Sequence, residues 1–140
     1  MSNRIVVIDD EVLILGFLKD VLTNEDYDVE IFSSANKAIK HIDENETDLV
    51  ITDVQMNEMT GDDILNHVKK NQPQTGVIII TGFGNVSHAV RSLQKGAFDY
   101  ITKPFKAKEI IHRVRRFFDE GDSKSNSVAS KDSKLDNNDT

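Results

Sequence analysis

No cysteine occurs among the 140 residues. Disulfides, thiolate zinc sites and a cysteine nucleophile are therefore excluded. No apolar run approaches the ~18 residues of a membrane span. The four-residue run that follows Met1-Ser2-Asn3-Arg4 is too short for the core of a signal peptide, so the chain reads as cytoplasmic and membrane-free. Positive charge is scarce: 17 Lys and Arg face 24 Asp and Glu, a net charge of −7. Nucleic-acid binders usually carry a basic patch, so direct nucleic-acid binding is not expected. Gly82-Phe83-Gly84 lacks both the spacing of a dinucleotide loop and the lysine of a phosphate loop.

What the chain does contain is a regular alternation. Ile5-Val6-Val7-Ile8, Leu49-Val50-Ile51 and Val77-Ile78-Ile79-Ile80 are continuous β-branched runs. Such runs mark strands buried on both faces, as in a parallel sheet. Val29-Glu30-Ile31-Phe32 reads as an edge strand and Phe98-Asp99-Tyr100-Ile101 as a fifth strand. Between them, apolar residues fall at helical spacing. The five faces are Val12, Leu15, Leu18, Val21 and Leu22; Ala35, Ala38, Ile39 and Ile42; Ile64, Leu65 and Val68; Val86, Ala89, Val90 and Leu93; and Ile110, Ile111, Val114, Phe117 and Phe118. Gly96 stands where the fourth helix should stop, and Pro73 follows the third. Five strand–helix repeats predict a doubly wound α/β domain with helices on both faces of an open parallel sheet.

The folded domain is predicted over residues 2–118. From Asp119 to Thr140 the apolar side chains are Val128, Ala129 and Leu135, and six acidic residues stand against three basic ones. Such a segment buries too little to offset its ordering entropy and is expected to be disordered.

Ligands of open α/β sheets bind beyond the carboxyl ends of the strands. The residues there are Asp9-Asp10-Glu11, Thr52-Asp53, Thr81-Gly82 and Thr102-Lys103-Pro104. Clustered carboxylates repel unless a cation joins them, and Mg²⁺ takes one or two carboxylates while bridging to phosphate. Lys103 adds a point charge for an anionic group. A metal and a lysine around one central carboxylate suit phosphoryl transfer to that carboxylate. Alone, Asp9 or Asp10 is equally a helix cap. It is the full set, in chain order, that carries the signal.

These residues are similar to those of a known family. Val7-Ile8-Asp9-Asp10-Glu11, Ile51-Thr52-Asp53-Val54-Gln55-Met56, Ile80-Thr81-Gly82 and Tyr100-Ile101-Thr102-Lys103-Pro104-Phe105 resemble the receiver domain of two-component response regulators over residues 4 to about 118. Thr81-Gly82-Phe83-Gly84, Ala89-Val90 and Lys95-Gly96-Ala97-Phe98-Asp99-Tyr100 are most like receivers of nitrogen-regulation-type transcription activators.

The resemblance implies a flavodoxin-like five-stranded sheet of order 2-1-3-4-5, an order for which a receiver is itself a standard example. It implies that Asp53 is the phosphoacceptor for a sensor histidine kinase or phosphotransfer protein. Asp10, Asp53 and the Gln55 backbone carbonyl would hold Mg²⁺, with Mn²⁺ as the substitute, and Asp9 would act through water. Thr81 and Lys103 would contact the phosphoryl group. Thr81 and Tyr100 would carry the switch to the fourth helix, fifth strand and fifth helix, where a downstream effector or a second copy in a phosphorylation-dependent homodimer would dock. Lys103-Pro104 would be a cis peptide. One position departs from the family: Asn57 stands where a proline is common, which leaves that loop freer to move.

Two other functions share parts of this pattern. An aspartyl-phosphate hydrolase of the haloacid dehalogenase kind wants a second Asp two positions after the nucleophile, where this chain has Gln55. A flavin module of the same topology wants a Ser/Thr/Gly-rich loop after the first strand, which is missing. His41, His67, His88 and His112 read as helix-surface polar residues. Arg113, Arg115 and Arg116, with Lys106 and Lys108, read equally as a solvated face or a docking surface.

Overall fold

The computed structural model describes residues 3–126. Each apolar run forms a strand: β1 (Arg4–Ile8), β2 (Asp28–Phe32), β3 (Leu49–Asp53), β4 (Gly76–Thr81) and β5 (Asp99–Thr102). Between and after them lie α1 (Val12–Thr23), α2 (Ala35–Glu44), α3 (Gly61–Asn71), α4 (Val86–Gln94) and α5 (Ala107–Asn126). All pairings are parallel and the sheet order is β2-β1-β3-β4-β5. The register sets Ile8 beside Thr52, Asp53 beside Ile80, and Thr81 beside Thr102. The chemically distinctive strand ends therefore open at one edge of the sheet.

Strand side chains alternate between faces, so the continuous runs feed two cores. Ile5, Val7, Ile51, Ile78, Ile80 and Ile101 pack against Leu15, Leu18 and Leu22 of α1 and Ile110 and Val114 of α5. Val6, Ile8, Val50, Val77 and Ile79 pack against Ala35, Ala38 and Ile42 of α2 and Ile64, Leu65 and Val68 of α3. Local signals fix the helix ends. Ser34 caps α2 through the Lys37 N–H, and Thr60 and Asp63 form a capping box on α3. Beyond α4, Gly96 takes φ +110°, a left-handed geometry that favours glycine.

Three expectations differ from the structure. The fourth helical stripe packs inward only at Ala89: Val86 is 81% exposed, and Val90 and Leu93 are each 46% exposed. α4 instead turns His88, Ala89 and Ser92 toward the protein, with Ser92 fully buried. Periodicity finds an apolar stripe, but the polar partners waiting under the helix decide which face turns in. Val12, the first residue of α1, is 73% exposed. Finally, α5 continues past Phe118 to Asn126, into the segment expected to be disordered from Asp119. Low apolar content rules out burial, but a formed helix still extends by one hydrogen bond per residue. The Arg116–Glu120 pair at 3.4 Å, one turn apart, adds to that extension. The rest of the polar segment, 127–140, lies outside the described residues.

Candidate functional site

Asp9 and Asp10 follow directly on β1, and Asp53 is the last residue of β3. These three carboxylates each offer an oxygen within 4.8 Å of the others. Asp10 and Asp53 line a cleft of about 640 Å³ together with Glu11, Gln55, Gly82, Phe83, Lys103 and Pro104, whereas Asp9 is fully buried and does not line it. Asp9 and Asp53 are buried, and Asp10 is exposed at the rim. The Lys103–Pro104 peptide is cis.

Lys103 is the cation at the centre. Its Nζ lies 2.6 Å from Glu11 Oε1, 2.9 Å from Asp9 Oδ2 and 3.2 Å from Asp53 Oδ2. The approach to Asp9 has ion-pair distance without hydrogen-bond alignment, so Asp9 Oδ2 keeps an unsatisfied lone pair. Burial alone would lower the Lys103 pKa, yet Glu11, Asp9 and Asp53 together raise it and hold the ammonium charged. Burial has the opposite consequence for Asp9. It pushes the carboxyl up, against the Glu11 N–H and Lys103 and with help from the nearby Asp53 charge.

The remaining acceptors are oriented by backbone. Asp9 Oδ1 accepts from the Glu11 N–H at 2.9 Å, and Asp53 Oδ1 from the Val54 N–H at 2.7 Å. That leaves four carboxylates, counting Glu11, around one ammonium. A compact hard cation with oxygen ligands fits this donor set and its charge deficit. The backbone around Asp53 is tightly enclosed: a Cβ on Gly61 would lie 2.4 Å from the Asp53 carbonyl oxygen.

Thr81 is buried at the end of β4, and its Oγ1 accepts from the Phe83 N–H at 3.0 Å. Its hydroxyl thus orders the loop that leads to α4. Gly84 in that loop lies against both Thr81 and Tyr100: an added Cβ would fall 2.8 Å from the Tyr100 hydroxyl and 3.0 Å from Thr81 Cγ2. The structure therefore brings Asp9, Asp10, Asp53 and Lys103 together, sets Gln55 on the rim, and links Thr81 to Tyr100 through loop backbone.

Two residues of this region escaped the sequence reading. His88 is not a surface residue, since only 15% of its side chain is exposed. Its Nδ1 lies 2.7 Å from the Tyr100 hydroxyl, and its Nε2 lies 3.0 Å from both oxygens of Asp62 at the start of α3. Burial pushes the Tyr100 phenol up. Histidine and aspartate 26 residues apart carry no local signal of such a bond. The other helix histidines conform better: His67 pairs at the surface with Asp43 at 2.8 Å. The arginines of α5 are engaged rather than free. Arg113 binds Asp99 at 2.7 Å, Arg115 pairs with Glu25, and Arg116 pairs with Glu120.

Residues 5–115 match the model of a family described as the response regulator receiver domain. The chain is 33% identical over 118 residues to the response regulator protein TodT of Pseudomonas putida, covering 82% of this chain and 52% of that protein. It is 34% identical over 115 residues to the DNA-binding transcriptional regulator NtrC of a Bradyrhizobium species, covering 82% of this chain and 24% of that protein. The crystal structure of a CheY-like response regulator receiver domain protein from Methanospirillum hungatei matches with a TM-score of 0.84 at 29% identity, over 89% of this chain and 99% of that one. The chain thus spans about half the length of TodT and about a quarter of NtrC.

Proposed function

The chain belongs to the response regulator receiver domain family, and from that premise we propose that it is a phosphorylation-activated switch whose phosphoacceptor is Asp53. Its class is signalling protein rather than metabolic enzyme. The observation that carries the proposal is the surrounding of Asp53: a carboxylate at a strand end, 3.2 Å from a lysine and clustered with Asp9 and Asp10.

In this reading the donor is a phosphohistidine on a sensor kinase or phosphotransfer protein, or a small acyl phosphate. A carboxylate oxygen of Asp53 attacks phosphorus as the bond from phosphorus to the donor's nitrogen or oxygen breaks. The product is an acyl phosphate, which water later cleaves to restore Asp53. Lys103, already charged, pairs with the incoming phosphoryl oxygens and stabilises the spread negative charge. Asp10, Asp53 and the Gln55 carbonyl are the residues that would hold Mg²⁺ or Mn²⁺, with Asp9 reaching it through water. When bound, that ion supplies charge neutralisation at the phosphoryl oxygens.

Thr81 converts occupancy into movement. Its hydroxyl must turn from the Phe83 N–H toward the phosphoryl oxygen, and its loop follows. Gly84 moves with that loop, and Gly84 backbone abuts Tyr100. The change therefore passes to β5, α4 and α5, where an effector protein, an effector domain or a second copy would dock. The phosphate need only bias two existing states, and a shift from 1:99 to 99:1 takes about 5.5 kcal/mol of differential binding. We place the receiver unit at residues 2–118, in the cytoplasm, with its output through protein contact and not through direct nucleic-acid or membrane binding. Among the described residues, no helix is long and apolar enough to cross a membrane.

The test is intact-mass measurement after incubation with acetyl phosphate and Mg²⁺. The wild type should gain one phosphoryl group and Asp53→Asn none. Equal labelling of the variant overturns the assignment.

A further inference from the structure

The segment from Val54 to Thr60 joins β3 to α3 and carries Gln55 at the rim of the acidic cleft. Its ends are fixed. The Gly61 N–H donates to the Val54 carbonyl at 2.9 Å, and Thr60 enters α3 through its capping box with Asp63. Its middle reaches a different element. Glu58 Oε1 accepts from the Ser34 hydroxyl at 2.8 Å and from the Asn36 N–H at 3.0 Å. Ser34 is the cap residue of α2, so the Glu58 carboxylate sits on a helix N-terminus, where free N–H groups and the helix dipole favour an anion.

We infer that Glu58 is a positioning residue for phosphoryl transfer: it clamps the β3–α3 loop to the start of α2 and so holds the Gln55 backbone over the Asp53 cleft. This rests on the reading of Asp53 and Gln55 given above. Asn57 would otherwise leave the loop free to sample conformations that carry Gln55 away from Asp10 and Asp53. A ligand supplied by a mobile loop must be ordered each time the cation binds, and that entropy weakens binding. Glu58 does the ordering in advance, and the clamp works from outside the cleft, touching neither cation nor phosphate. The bonds from the Asn36 N–H and the Ser34 hydroxyl hold the Glu58 carboxyl below the usual carboxylate range. The clamp is therefore present at neutral pH and is lost only as pH falls through that lowered value.

The experiment compares wild type, Glu58→Ala and Glu58→Gln. Glutamine keeps a carbonyl oxygen that accepts both bonds, so it should rescue. Amide exchange is measured first on metal-free protein, then the Mg²⁺ dissociation constant by chemical-shift titration, then the rate of labelling by acetyl phosphate. In Glu58→Ala, amides 55–59 should exchange faster and the Mg²⁺ dissociation constant should rise about 3- to 10-fold, at or below the low end of what losing an outer support of a metal site costs. Labelling should slow at low Mg²⁺ and recover at saturation. Unchanged loop exchange and unchanged affinity overturn the inference, as does a lower melting temperature with affinity intact. A wild type that binds Mg²⁺ but is not labelled refutes Asp53 as acceptor while leaving the Glu58 effect measurable. A wild type that binds no Mg²⁺ overturns both.

Discussion

Replacing His88 with alanine removes the side chain that ties α4 to both Tyr100 and Asp62, and its cost follows from the geometry. The Asp62 carboxylate accepts, so Nε2 carries the proton in the neutral ring and Nδ1 receives the Tyr100 O–H. The tyrosine bond at 2.7 Å stabilises by about 1 kcal/mol. The bond to Asp62, whose side chain is 34% exposed, is screened and contributes about 1 kcal/mol rather than the full charged-acceptor value. The edge-on contact of the two rings, with centroids 5.4 Å apart, adds about 0.5 kcal/mol. His88→Ala should therefore destabilise the fold by roughly 2–3 kcal/mol, and Tyr100→Phe, which loses only the hydroxyl, by about 1 kcal/mol. The double variant should fall about 1 kcal/mol short of the sum, because both changes delete the same bond. Urea unfolding at neutral pH reads all three values. Amide exchange should also rise along α4, whose inward face is His88, Ala89 and Ser92. If the two changes add to within about 0.3 kcal/mol, Tyr100 and His88 are not coupled and α4 is oriented by something else.

Further outcomes follow from the site. Burial raises the Asp9 carboxyl above its unfolded value, so the folded chain holds that proton more tightly. Stability then falls as pH rises from the ordinary carboxylate range through the raised value. Asp9→Asn should flatten this fall in metal-free urea titrations, and an unchanged profile contradicts the assignment. Gly61→Ala should cost about 1–3 kcal/mol, because the new Cβ meets the Asp53 backbone oxygen at 2.4 Å, and labelling of Asp53 should slow with it. A wild-type melting temperature in Gly61→Ala refutes that crowding. Asp10→Ala should weaken Mg²⁺ binding in a shift titration, while metal-independent labelling would show that the acidic cluster serves another purpose. Thr81→Ala should remain phosphorylatable but fail to transmit, whereas Lys103→Ala should fail in both. Intact mass and effector binding separate the two cases.

The strands were legible because their β-branched runs satisfy two cores at once, and strand ends in a parallel sheet meet at one edge. Asp9, Asp10, Asp53 and Lys103 could thus be read as one cluster from local sequence alone. What was not legible depends on partners distant in the chain. Val86, Val90 and Leu93 have the spacing of a buried stripe and nevertheless face outward, because His88 meets Asp62 and Tyr100 on the other side of the helix. Glu58 and Ser34 stand 24 residues apart in unremarkable polar segments, and no periodicity marks their bond. The extension of α5 beyond Phe118 escaped because composition reports on burial, whereas a helix end extends through its own backbone bonds.

The central claim is that a phosphoryl group on Asp53 is felt at Tyr100 through Thr81. Amide chemical shifts with and without beryllofluoride, in the presence of Mg²⁺, test it most directly. Shifts should run from Asp53 through Thr81 and the loop at Gly84 to Tyr100, and onward into α4 and α5, and should stop short of Tyr100 in Thr81→Ala. Shifts confined to the loops around Asp53 in the wild type would mean that the phosphate mimic binds without moving the switch, and would contradict the account.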